Sequence, residues 1–483
     1  MSGMDRQACA IPESELHTLR NLLGDGGFLD QPADRAPFET DFRGIYRGQT
    51  PLVALPDSAA LVSALVRHCA ARRIALVPQG GNTSYCGGAT PRPGGRDVVV
   101  SLRRMNRIRA LDAANDSMTA DAGCVLVALQ EAAAAADRLL PMSLGSGGSC
   151  TLGGLVSTNA GGTAVLRYGM MRDLVLGLEV VLPDGRVLDQ LRGLRKDNTG
   201  YDVKQLFIGA EGTLGIVTAA CLRLFPLPAA SATACVAVPS PAAALGLLGR
   251  LRRELGDSVT SFELIPRIAL ELLCRHISGS RDPFGRAHAW YVLAEVSLPQ
   301  SDAGLGERFE ASLAAAIEAG FAEDAATAAS ESQRRAFWRL REAIPEAQRA
   351  EGPGLKHDVA VEPARVPAFV EEGRALVERL APGARLIAYG HLGDGNLHFN
   401  LNVRAGDDGR ALLASGEVIR RAVHDLVARH RGSISAEHGI GQLKTGELAR
   451  YEDPVALELM RRIKRALDPQ GIMNPGKVLE EPA

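Results

Sequence analysis

The alternation of apolar and polar positions divides this chain into short strands and amphipathic helices with a break near its middle. Pro56-Asp57 opens a helix in which Leu61, Val62, Leu65, Val66 and Cys69 fall on one face. Short apolar runs at 74–77 and 97–102 read as buried strands. The Ala-rich stretch 125–139 reads as a helix. Residues 176–182, the turn 183–186 and 187–188 read as strand, turn and strand. A long strand is expected over 213–225. Pro226-Leu227-Pro228 then breaks the pattern and marks a domain boundary. Beyond it, strands at 290–297, 386–389 and 397–403 mix with helices at 241–255, 307–319 and 367–380. Ser240 stands before Pro241 as an N-cap. The last 55 or so residues read as mostly helical. The expected fold class is α+β, with a first domain at 1–228, a second at 229–425 and a C-terminal segment at 426–483.

Composition narrows the function. The 483 residues carry a formal net charge of −2 and no basic tract, which argues against nucleic acid as partner. Aromatics make up only 4%, too few for base-stacking platforms. No apolar run approaches the roughly 18 to 20 residues that span a bilayer. Met1 to Leu16 holds Asp5, Glu13 and Glu15 without an apolar core, so neither a signal nor a transit peptide is read there, and a cytoplasmic location is expected. The eight cysteines are scattered without a C-x-x-C pair, which suggests neither an iron–sulfur site nor a disulfide framework.

Two kinds of candidate chemistry remain. The first is H-L-G-D-G-N-L-H at 391–398 followed by S-A-E-H-G at 435–439. His391, His398 and Glu437 are the donor mix of a borderline divalent metal such as zinc, and three ligands leave a position for substrate. His438 could then act as a base beside the metal. On spacing alone, the histidines read equally well as surface or packed residues; Gly393 and Gly395 favour a tight turn that brings them together. The second is a series of Gly/Ser/Thr/Asn-rich blocks. P-Q-G-G-N-T-S at 78–84, 143–154 with 157–163, and 196–201 with G-A-E-G-T-L-G at 209–215 are more than turns require. They admit close backbone approach to a long polar ligand, and a dinucleotide is the natural guess. Neither the G-x-G-x-x-G nor the G-x-x-x-x-G-K-[ST] pattern fits.

With these motifs in order, the chain resembles the vanillyl-alcohol-oxidase type of flavoprotein, whose FAD domain is of the p-cresol-methylhydroxylase type. Within it, the pattern is most similar to the D-2-hydroxyglutarate dehydrogenases and the related D-lactate dehydrogenases. The resemblance runs from about 40 to 478 through P-Q-G-G-N-T, N-A-G-G-T, G-A-E-G-T-L-G, G-H-L-G-D-G-N-L-H, S-A-E-H-G and N-P-G-K. It implies an FAD domain, an α+β substrate-binding cap and a C-terminal segment that completes the active site. It implies that Pro78, Gly80, Gly81, Asn82, Thr83 and Ser84 cradle the FAD pyrophosphate. Ser149, Gly153, Gly154, Asn159, Gly161 and Gly162 would lie along the cofactor, Ile216 and Val217 near its adenine or ribitol side, and Asn474 at the flavin. Asn82 stands where some relatives carry a linking histidine, so noncovalent FAD is expected.

The resemblance also assigns His391, His398 and Glu437 to a metal (zinc, or manganese or cobalt) and His438 to the base. Arg341, Lys356, Asn400 and His438 would contact substrate. Pro345 departs from the family pattern, which has a threonine four residues after this arginine. The implied reaction oxidises D-2-hydroxyglutarate, and D-malate with it, to the keto acid by hydride transfer to flavin. D-Lactate oxidation, oxidation using oxygen directly, and a flavin-binding electron-transfer subunit are the alternatives. An electron-transfer flavoprotein or the quinone pool would take the electrons, and a homodimer is an open assembly.

Overall fold

The computed structural model describes residues 11–480, so Cys9 and most of the N-terminal stretch from Met1 to Leu16 lie outside the described residues. The chain divides into two compact units. The first takes in residues up to Ala160, Met170–Pro226 and the chain from Glu437 onward; the second takes in Gly161–Gly169 and Leu227–Ala436.

In the first unit, helix α1 (Ala59–Arg72) starts three residues later than Pro56 suggests. Ser58 is the cap, and its hydroxyl accepts the Leu61 N–H at 3.3 Å. Val62, Leu65, Val66 and Cys69 bury its inner face. That face packs over a small sheet ordered Phe28–Leu29, Val53–Ala54, β2 and β1. Here β1 (Ala75–Gln79) and β2 (Asp97–Ser101) run parallel, and both are buried almost throughout. The C-terminal segment seals the far side of β1. The Leu76 N–H donates to the Ile472 carbonyl and the Asn474 N–H to the Leu76 carbonyl, each at 2.8 Å.

A second, antiparallel sheet runs Ile108–Asp112, Ser117–Asp121, β3 (Ile216–Arg223), Val175–Val181, Val187–Gln190. The strand expected over 213–225 is therefore shorter, because the positive φ of Glu211 and Gly212 keeps the preceding chain in a turn. The helix expected over 125–139 is also shorter. It spans Leu126–Ala135, Asp137 takes φ 56°, and Arg138–Leu139 leaves to pair with Phe225–Pro226.

The second unit is built on an eight-stranded sheet. Its path is Asp324–Thr327, Ala230–Val238, Trp290–Leu298, β4 (Val259–Pro266), β5 (Arg385–His391), β6 (Asn396–Asn402) and Gly354–Leu355, with Asp358–Ala360 also on β6. Helices Pro241–Leu255, Leu305–Glu318, α2 (Glu331–Glu342), α3 (Ile344–Glu351) and Val366–Leu380 cover it. Ser240 caps the first of these by accepting the Ala243 N–H at 3.1 Å. The short first segment of this unit docks through Arg167, which donates to the carbonyl and hydroxyl of Ser297 at 2.7 and 2.9 Å. The fold is α+β, as the periodicity predicts.

Candidate active site

The first unit forms a cleft of about 500 Å³, lined among others by Phe38, Gly80, Gly81, Asn82, Arg103 and Ser149. It lies where β1 runs out into the glycines. A Cβ on Gly81 would sit 2.0 Å from the Ser149 carbonyl oxygen, and one on Gly80 would sit 2.5 Å from the Thr151 hydroxyl. Two loops are thus held at a separation that only glycine permits, with main chain facing the cleft. Asn82 adopts φ 52°, and its side-chain amide donates to the Thr40 and Pro37 carbonyls at 2.8 and 3.3 Å. The side chain anchors the loop, so its contribution toward a ligand is backbone. Asn159 behaves likewise: φ is 48° and its Oδ1 accepts the Arg172 N–H at 2.8 Å.

Pro78 packs against Gly212, and Gly153 is pressed against Ala122. Ile216 and Val217 are buried in the core on β3, which leaves their backbone as the part able to meet a ligand. Thr83, Ser84 and Gly154 are half-buried and Ser149 is exposed. Gly161 and Gly162 open the second unit's first segment and are buried.

Asn474, with φ 42°, donates to the Gly88 and Glu211 carbonyls at 2.9 and 2.7 Å. Its buried Oδ1 has no hydrogen-bond partner among the described residues. Glu211 is the anchor of the loop that carries His438. Its carboxylate accepts the N–H groups of Ile440 and Gly441 at 2.7 and 2.8 Å. Burial pushes this carboxyl up, against those two hydrogen bonds and the charge of Lys444. His438 itself stacks on Tyr85, with ring centroids 4.6 Å apart at 21°. The Cys86 thiol donates to the Gly439 carbonyl at 3.4 Å. The base candidate is therefore held by the loop that follows the first glycines. Sequence reasoning gave Glu211 no role of its own; a lone carboxylate amid the glycines of G-A-E-G-T-L-G was its signal.

The second unit presents its own constellation. The turn at Gly393–Gly395 folds β5 back onto β6, pairing Tyr389 with His398 and Ile387 with Asn400. A Cβ on Gly395, where φ is 83°, would overlap the Val361 carbonyl, so this turn demands glycine. The rings of His391 and His398 lie 6.0 Å apart. On the adjoining strand β4, Glu263 stands opposite His391 in register. Its Oε1 is 2.5 Å from His391 Nδ1, and its Oε2 accepts from Arg341 Nε at 2.6 Å. Burial opposes ionisation of Glu263, yet His391 and Arg341 outweigh it and hold the carboxyl at about 2. The Arg341 guanidinium is buried and lies 4.9 Å over the Tyr389 ring.

Sequence reasoning took Arg341 in isolation and missed Glu263. A single carboxylate in an otherwise apolar strand, S-F-E-L-I, was the available clue. Asn400 is buried, accepts the His357 N–H at 3.1 Å and donates to Gln348 Oε1 at 3.1 Å. Lys356 is exposed between Gly354–Leu355 and Asp358–Ala360. Glu437 directly follows Ala436, the last residue of this unit, whose N–H donates to the Asp358 carbonyl.

Known proteins give this geometry a context. Residues 50–190 match the FAD binding domain model and residues 227–478 the C-terminal domain of FAD linked oxidases. The mitochondrial D-2-hydroxyglutarate dehydrogenase of Arabidopsis thaliana is 37% identical over 97% of this chain and 82% of its own. That of Bos taurus is 38% identical over 97% and 84%. A mitochondrial protein of Schizosaccharomyces pombe named as a D-lactate dehydrogenase is 34% identical over 98% and 91%. Among solved structures, p-cresol methylhydroxylase with substrate bound shares the fold at a TM-score of 0.75, covering 97% of this chain and 98% of that one at 16% identity. The cytoplasmic expectation is overturned, since these plant, animal and yeast relatives are mitochondrial. Among the described residues, no helix is long and apolar enough to cross a membrane. Matched across both halves and over nearly its full length, the chain belongs to the FAD-linked oxidase family.

Proposed function

We propose that this FAD-dependent D-2-hydroxy acid dehydrogenase oxidises D-2-hydroxyglutarate, and more slowly D-malate, to the 2-keto acid. The observation that carries the reading is the buried Arg341–Glu263–His391 bridge, which fixes a guanidinium and a candidate metal ligand on one carboxylate. A second cation, Lys356, suits a substrate with a second carboxylate.

The chain's residues fit both groups that the family implies. Glycines that admit no Cβ, three left-handed asparagines and the unpartnered Oδ1 of one of them, Asn474, suit FAD. The absence of a histidine at position 82 supports noncovalent binding. Two imidazoles and a carboxylate, His391, His398 and Glu437, suit zinc, manganese or cobalt. Glu263 holds His391 through Nδ1, so Nε2 is the nitrogen that would hold a metal. In division of labour, 1–228 binds FAD, 229–425 caps the substrate and 426–483 completes the site.

Arg341 and Lys356 hold carboxylate and orient the acid. Asn400 positions it from β6. An imidazole nitrogen of His438 accepts the 2-hydroxyl proton. The metal, when bound, supplies a Lewis acid for the hydroxyl oxygen. FAD, when bound, supplies the acceptor for the hydride of carbon 2. An electron-transfer flavoprotein or the quinone pool then reoxidises the protein.

D-Lactate oxidation is the second reading, favoured by Pro345, which lacks the hydroxyl donor of the family pattern. A screen of D-2-hydroxyglutarate, D-malate and D-lactate with a dye acceptor, with and without chelator, decides between them. Preference for the dicarboxylates, abolished by chelator, supports the proposal. Equal turnover of D-lactate, with Arg341→Ala harming both substrates alike, rejects it in favour of the second reading.

A further inference from the structure

Helices α2 and α3 follow one another through the single turn residue Ala343. Pro345 and Gln348 are three residues apart and share a face of α3, and Arg341 lies in the last turn of α2 just before it. Arg341 and Gln348 are buried and Pro345 is half-buried.

The orientation of the Gln348 amide follows from its neighbours. The backbone N–H of His357 can only donate, and it donates to Asn400. The atom of Asn400 that receives it must be the oxygen, so Asn400 presents its NH₂ to Gln348 at 3.1 Å. Gln348 must then present its own oxygen to Asn400. Its Nε2 is left buried without a hydrogen-bond partner among the described residues. Asn402 pins the Gln348 backbone by donating to its carbonyl at 2.9 Å. A buried amide N–H kept without a partner is costly in a folded protein, and it is explained when a ligand supplies the acceptor.

We infer that the Gln348 amide N–H is a specificity-determining contact for the second carboxylate of the substrate, standing in for the hydroxyl that Pro345 lacks. The inference rests on the reading that substrate binds at Arg341 and Asn400. A carboxylate oxygen is an acceptor only, so it satisfies this donor, and a methyl group in the same place does not. Three residues on along the same face of α3, Gln348 thus supplies the hydrogen-bond donor that a proline at position 345 cannot offer.

The test compares Gln348→Glu and Gln348→Met with wild type, measuring KM and kcat separately for D-2-hydroxyglutarate and D-lactate. Melting temperature and FAD content serve as controls. Glutamate still accepts from Asn400, so the scaffold is kept, but it turns the donor into a charge that repels carboxylate. Its KM for D-2-hydroxyglutarate should rise about ten- to a hundredfold, far more than for D-lactate, with a much smaller change in kcat. Methionine removes the amide without adding charge, and its discrimination should fall by about tenfold. If both variants weaken both substrates equally, the amide meets water or serves only the fold, and the inference fails while the dehydrogenase reading stands. If wild type turns over D-lactate as well as D-2-hydroxyglutarate, the dicarboxylate reading fails and this inference falls with it.

Discussion

Glu263→Gln tests the joint on which the second unit's constellation depends. The side chain is wholly buried, and each carboxylate oxygen takes one short contact, from His391 Nδ1 and from Arg341 Nε. Glutamine keeps the shape but offers one oxygen and one NH₂, so one of the two partners must face a donor. Breaking a buried ion pair by removing one charge costs about 3 to 5 kcal/mol. Because the amide can still accept one hydrogen bond, the lower end applies, about 3 kcal/mol. For a unit of this size that corresponds to a fall in melting temperature of roughly 6 to 12 °C. The loss should also appear in metal affinity. His391 would no longer be held in one tautomer, and loss of such an orienting carboxylate typically weakens binding about 10- to 100-fold. Metal content after dialysis against graded chelator, read by mass spectrometry, measures this directly, with calorimetry for stability. FAD content should stay at the wild-type level, since the cradle glycines belong to the first unit. A Glu263→Gln protein with metal affinity within about twofold of wild type and an unchanged melting temperature would show that Glu263 does not orient a metal ligand.

Other residues make separate predictions. His438→Ala should keep FAD and metal but lose about 10²- to 10⁴-fold in the rate of flavin reduction, measured by stopped flow; a loss below about threefold would leave it a structural residue. Gly81→Ala should strip FAD, because a Cβ there meets the Ser149 carbonyl and overpacking costs about 1 to 3 kcal/mol; flavin absorbance per protein checks it. His398→Ala should lose metal and retain FAD, and metal analysis that finds full occupancy would remove His398 from the ligand set. Glu351 is buried among Arg275, His276 and Arg385. Burial opposes its ionisation, but hydrogen bonds from His276 and Arg385 and the charges of Arg385 and Arg275 hold its carboxyl at about 2. Its stabilisation is present above the ordinary carboxylate value of 4.5 and fades as pH falls from there toward 2, so Glu351→Gln should flatten that part of the denaturation profile.

Local chemistry made much of this fold legible. The helix at Pro241–Leu255 was readable because Ser240, the proline and the apolar stripe all agree. The strand at Trp290–Leu298 was readable from the apolar run that opens it, Trp290 to Ala294. The errors arose where distant chain segments decide. The helix over 125–139 ends early because Arg138–Leu139 pairs with Phe225–Pro226, far along the chain. The ordered motifs pointed to the FAD cradle and the paired histidines. They did not reveal what those groups lean on. Glu263 lies 128 residues from His391 in sequence, and their pairing exists only once β4 and β5 are neighbours. Nothing in the sequence marks Gln348; only its neighbours Asn400 and His357 decide which of its atoms is left over. Sequence exposes residue types in a motif; the partners that orient them are set by register between strands.

In the proposed reaction, D-2-hydroxyglutarate delivers its hydride to the FAD of this chain. Anaerobic mixing of the purified flavoprotein with each D-2-hydroxy acid, without any added acceptor, tests it by following bleaching of the oxidised flavin. Bleaching should be rapid with D-2-hydroxyglutarate, slower with D-malate and D-lactate, and absent with the L-enantiomers. FAD that stays oxidised with every D-2-hydroxy acid, in protein replete with flavin and divalent metal, would contradict the proposed reaction.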